Sequence, residues 1–164
     1  MYYFLTIMVF LVHLNAVYAG AEPGIEVLPT DYMVLHSLEG TTFSAVREDL
    51  ELAITDRGMV VNNVSHIGNM LARTREAVGS GKQIFAQAEA LEFCSSVISR
   101  NMMEANPHNI VFCPYIISVY TLPDQPERVY IAYRRPLPVG TVPSQKALLA
   151  VDSLLQSIVA DVIK

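Results

Sequence analysis

Residues 110–134 read IVFCPYIISVYTLPDQPERVYIAYR, and this stretch decides the fold. From Ile110 to Thr121 it is rich in Ile, Val and Tyr, side chains that suit a pleated, half-buried surface. Arg128 to Arg134 alternates polar and apolar residues, the period of a strand with one face on a core. Leu122 to Glu127, with Pro123 and Pro126, separates the two runs, so the pair predicts an antiparallel hairpin.

Downstream, Ser144 follows Pro143 and starts the strongest helical pattern, with Leu148, Val151, Leu155, Ile158 and Val162 on one stripe. Upstream, Ser95 or Ser96 is placed to cap a helix over Val97–Ala105, which Asn106-Pro107 closes. Ile84 to Phe93 reads as a strand from its alternation, although its Ala and Glu content also suits a helix. A short helix spans 69–77 before Gly79 and Gly81, and Met59–Ile67 reads as a strand around Val60, Val61 and Val64. Ahead of these, Tyr32–Leu38 is a first strand turned by Gly40. Thr41 or Thr42 then caps a helix with the stripe Phe43, Val46, Leu50 and Ile54, ended by Gly58. The resulting order is strand, helix, strand, helix, strand, helix, strand, strand, helix. It predicts an α+β two-layer sandwich, a curved and mostly antiparallel sheet covered on one face by helices including the long C-terminal one. A crevice at the rim between that last helix and the sheet is the expected ligand site.

The first 30 residues carry a different signal. Tyr2 to Tyr18 is almost wholly apolar and holds no Lys, Arg, Asp or Glu; small residues precede a cut after Ala19. This is the pattern of a secretory signal peptide over 1–19, with His13 the one residue in it able to carry positive charge. A membrane anchor is the rival, but the run is short for a span and meets Gly20, Ala21 and Pro23 at once. Residues 20–30 then form a leader and 31–164 a single domain, so the expected location is periplasmic or secreted, with membrane contact only through an uncleaved signal segment. The net charge of -5 lies wholly after Gly20 and argues against nucleic acid as a partner, because phosphate binding needs a basic face.

Glu39-Gly40 with Phe43 in the first helix, Gly58 at its end, Cys94 closing the third strand, Cys113 opening the next, and Val119-Tyr120 further along it together resemble the Domain of Unknown Function 302 family over 32–133. Cys94 is followed here by Ser95-Ser96 where that family usually has Asn-Pro, and Cys113 stands in Phe112-Cys113-Pro114 where it usually has Pro-Cys. The resemblance implies a fold related to the helix-grip and TATA-binding-protein-like arrangements. It implies no established activity, cofactor or catalytic residue.

Cys94 and Cys113 are the only cysteines. Their predicted places at corresponding ends of neighbouring strands bring them within bonding reach, and three chemistries follow. An exported chain in an oxidising space favours a structural disulfide. A helix start after Cys94 would lower its thiol pKa and make it a redox or sulfur-carrying nucleophile, with Cys113 resolving. Two thiolates with His108, His66, Met102 or Met103 would suit a soft metal ion. Elsewhere, Arg134-Arg135 beside Pro136 offers a guanidinium to an anion, against the plainer reading of solvated strand-end arginines. Tyr115, Tyr120, Tyr130 and Tyr133 line a crevice or pack across strands. Gly79-Ser80-Gly81-Lys82 lacks the spacing of a phosphate loop, and no hydrolase elbow, His-Glu-x-x-His or haem-attachment motif occurs. The expected function is a non-catalytic module binding a small molecule or protein, without cofactor, with Tyr120, Tyr133 and Arg134 as the ligand contacts; thiol redox and soft-metal binding are the alternatives.

Overall fold

The hairpin becomes the middle of the sheet. Strands β4 (Tyr115–Leu122) and β5 (Gln125–Arg134) pair antiparallel, with Ile117 opposite Tyr133 and Tyr120 opposite Tyr130. The structure, a computed structural model, describes residues 32–164. The expected signal peptide and leader lie outside the described residues. Strands β1 (Met33–Leu38), β2 (Val60–Ser65) and β3 (Gln87–Cys94) complete a five-stranded sheet in the order β1-β5-β4-β3-β2. Every neighbouring pair is antiparallel. The fold is the expected two-layer α+β sandwich.

Alternation along the strands sorts the side chains. Leu91, Phe93, Tyr115, Ile117, Val119, Val129, Ile131 and Tyr133 form one core with residues of α1 (Phe43–Thr55), α3 (Ser96–Ala105) and α4 (Val142–Val162). Leu148, Val151, Leu155 and Ile158 of α4 are each no more than 2% exposed, as their stripe demands. Each such burial contributes roughly 1.5–3 kcal/mol. In α1, the Thr42 hydroxyl accepts from the Ala45 N–H at 3.2 Å, and Gly58 ends the helix region at φ +73°, a conformation costly for any residue with a Cβ. Helix α2 (Ile67–Thr74) buries no residue fully and presses on the start of β3, where a Cβ on Gly68 would lie 2.8 Å from the Ala88 nitrogen.

Several boundaries differ from the sequence expectation. The run from Ile110 does not begin as a strand: Pro107–Phe112 is a 3-10 helix, and β4 starts at Tyr115. Pro107 cannot donate and suits a helical first turn, while the Asn106 side chain accepts from the His108 N–H at 3.0 Å. The buried Asn109 amide then donates to the Met102 carbonyl at 3.0 Å and to the Ser144 hydroxyl at 2.9 Å. Those partners come from α3 and α4, beyond the reach of any local pattern. Leu122–Glu127 is not a loop; only Pro123 and Asp124 turn, and Pro126 lies past the paired length of β1, where a missing N–H costs no ladder bond. Helix α4 starts two residues earlier than expected, because Thr141 caps it and Pro143 fits its first turn. Helix α2 likewise begins at Ile67, not Asn69, and β3 at Gln87, not Ile84.

Candidate functional site

The end of β3, the start of β4, the end of β5 and the start of β1 share one rim of the sheet, since Phe93 pairs with Tyr115, Ile117 with Tyr133, and Met33 with Arg134. Both cysteines stand at this rim. Cys94 is the last residue of β3; Cys113 follows the 3-10 helix and is joined to Pro114 by a cis peptide, so it precedes β4 and does not open it. Their sulfurs are 3.1 Å apart. A disulfide measures about 2.05 Å, so the expected bridge is not formed and the pair stands as two free thiols. The Ser99 hydroxyl reaches Cys113 Sγ at 3.4 Å and the Tyr115 hydroxyl at 2.9 Å, which makes one chain of polar contacts from Cys94 to Tyr115.

Electrostatics at this corner run against the lowered pKa expected for Cys94. Ser95 caps α3 and its hydroxyl accepts from the Ile98 N–H at 3.3 Å, so the helix start is already served. Burial, and then the thiol of Cys113, push Cys94 from its ordinary 9.0 up to about 11, while the Tyr115 backbone and Ser99 offset only part of this.

A crevice of about 350 Å³ opens beside the corner, between α4 and the β4–β5 end, walled by Phe112, Pro114, Ile116, Tyr133, Arg135 and Leu155 among others. Arg135 grips Asp152 of α4 by two contacts, Nε to Oδ1 at 3.2 Å and Nη2 to Oδ2 at 2.7 Å. Asp152 is 6% exposed and also accepts from Gln156 at 2.8 Å. Tyr133 is 3% exposed, and its hydroxyl is buried with no hydrogen-bond partner among the described residues. Burial first, and the Asp152 carboxylate second, push this phenol up to about 12; Arg135 works partly against them. Leaving such a group unpaired costs about 1–3 kcal/mol.

The profile of the Domain of unknown function DUF302 matches residues 35–162. The chain belongs to the DUF302 family. Its fold matches the crystal structure of an uncharacterized conserved DUF302 protein from Bacillus stearothermophilus, with TM-score 0.63 and 14% identity, covering 77% of this chain and 96% of that one. No curated protein matches the chain.

In this DUF302 domain the three expected ligand contacts are not brought together. Tyr133 and Arg134 line the rim crevice, whereas Tyr120 borders a separate hollow that Ile67 of α2 also lines, where it stacks on Tyr130 at 5.1 Å and meets Phe85 edge-on at 5.3 Å. Those rings and Met33, Leu35 and Leu122 border a wider, nearly all-apolar hollow of about 450 Å³. A shift of one residue along a strand reverses the face, and Tyr130 and Tyr133 differ by three. The soft-metal partners are dispersed as well. His66 stands between β2 and α2 and bonds Glu89 at 2.9 Å, and Met102 is fully buried in the core. Among the described residues no three His, Cys, Asp or Glu side chains assemble as a ligand set. Sequence reasoning passed over Asp152 and Ser99. Asp152 leaves a sequence signal, an acid beside Val151 and four residues after Leu148 of the apolar stripe; Ser99 leaves none.

Proposed function

We propose that the protein is an exported, periplasmic or secreted module without catalytic activity, which binds a small molecule or a segment of a partner protein in the crevice between α4 and the β4–β5 rim. The observation that supports it is the buried Tyr133 hydroxyl, without a partner among the described residues, in the wall of that crevice. A folded chain rarely leaves a donor unpaired at this depth unless something completes it. The cysteines serve the same rim as a staple, since thiols 3.1 Å apart need little movement to bond in an oxidising space. A fragment screen by NMR tests the reading: binders should perturb the signals of Tyr115, Tyr133 and Leu155. Binders that move only Tyr120 and Tyr130, on the other face, end it.

The sulfur spacing also favours a second reading, in which the pair cycles between dithiol and disulfide. The raised Cys94 counts against it, because a thiol at about 11 is thiolate in only about one molecule in ten thousand at pH 7. The reduction potential separates the two. A value well below about -300 mV marks a structural bridge, and one near the cellular thiol pool marks a redox pair.

A further inference from the structure

We infer that the crevice takes a monocarboxylate with an apolar tail, a deepening that rests on the crevice being the binding site. Three features select that chemistry. The walls are mostly carbon: Phe112, Pro114, Ile116, Val151 and Leu155 offer a tail a dry surface. At the mouth, Arg135 is neutralised by Asp152, whereas Arg134, exposed and lining the same crevice, has no ion-pair partner among the described residues. Among the described residues the site therefore carries one positive charge in excess, in a chain whose net charge is -5. One guanidinium fork matches one carboxylate; a phosphate monoester brings nearly two charges and finds no second cation free of Asp152.

The third feature is the Tyr133 hydroxyl, a donor awaiting an acceptor. Its oxygen exposes almost no surface, so a carboxylate reaches it only when a neighbouring side chain gives way. Arg135 shares the wall with Tyr133 and is one-third exposed, and as it swings aside on its flexible stem the incoming carboxylate takes over one of its two contacts with Asp152. The headgroup then lies between Arg134 and the phenol, and the tail runs inward toward Leu155.

The chain contains no Trp, and Val111, 74% exposed on the crevice border, accepts one without disturbing the core. Val111→Trp thus supplies a single emission reporter. Octanoate and octan-1-ol, which share a tail and differ in charge, are titrated against it, and calorimetry on the unaltered protein repeats the comparison so that a crowded mouth does not decide. Octanoate should bind at least about 10-fold tighter than octanol, and Arg134→Gln should remove that advantage while leaving octanol unchanged. Tyr133→Phe should weaken octanoate several-fold yet leave the unfolding midpoint unchanged or higher. Equal affinities for acid and alcohol overturn the carboxylate assignment and leave the crevice reading standing. Failure of both probes to bind by calorimetry, with NMR binders mapping to the Tyr120 face, overturns both. A Tyr133→Phe protein that is less stable shows the hydroxyl already bonded and removes the third feature's role.

Discussion

Tyr115 and Tyr133 sit at one rim, equally buried at 3% exposure, and burial pushes both phenols up to about 12. They differ in one bond. The Tyr115 hydroxyl is tied to Ser99 and through it to the cysteines, whereas the Tyr133 hydroxyl has no partner among the described residues. The contrast teaches that the rim has a closed half and an open half. In the cysteine corner the thiols, Ser99 and Tyr115 are joined in one chain of contacts. In the crevice the Tyr133 hydroxyl is buried without a partner among the described residues, and that half is where the proposed ligand would add a bond.

The largest expected effect hardens the closed half. Oxidising Cys94 and Cys113, 19 residues apart, should raise unfolding free energy by about 3 kcal/mol, read as the urea midpoint of oxidised against reduced protein. No gain would mean that the bond strains the rim as much as it constrains the unfolded chain. Next, Asp152→Ala should cost about 2 kcal/mol, because it removes the carboxylate that grips a two-thirds covered guanidinium by two contacts. The same loss should appear in oxidised and reduced protein if the halves are independent.

A smaller effect sharpens the comparison directly. Tyr115→Phe should lose about 1 kcal/mol by leaving Ser99 short of a partner, while Tyr133→Phe should lose nothing. Equal losses would erase the distinction. Smallest is an alkaline shift between pH 9 and 10. Cys94 holds its proton more tightly folded, at about 11, than at its ordinary 9.0, so its contribution is complete below pH 9 and fades as the pH rises through 11. Reduced protein should begin to lose stability near pH 9, by an amount that solvent screening of this partly exposed group keeps small. Oxidised protein, lacking the thiol, should hold until the tyrosines follow above pH 10.

Most of the architecture was legible before folding. The stripe of α4 and the β4–β5 alternation predict burial residue by residue, since hydrophobic periodicity is a direct consequence of backbone geometry. The caps of α1 and α3 were legible to within one position, since Thr42 and Ser95 serve as expected, whereas the Thr141 cap of α4 was not. The 3-10 turn at 107–112 was not legible, because its apolar residues imitate a strand and the bonds that hold Asn109 come from α3 and α4. At the candidate site, Tyr133 and Arg134 line one crevice and Tyr120 a separate hollow, a division that depends on strand register and layer packing.

By itself the sequence determined the order and type of the elements, the face each strand turns to the helices, and the family, because all three follow from spacing along one chain. Only the tertiary structure decided that two cysteines stand in contact yet unbonded, that Asp152 turns inward to hold Arg135, and that one of two like phenols has no partner among the described residues. Desolvation and hydrogen bonding depend on what lies across the gap, and residues distant in sequence come to share that gap only when the layers close.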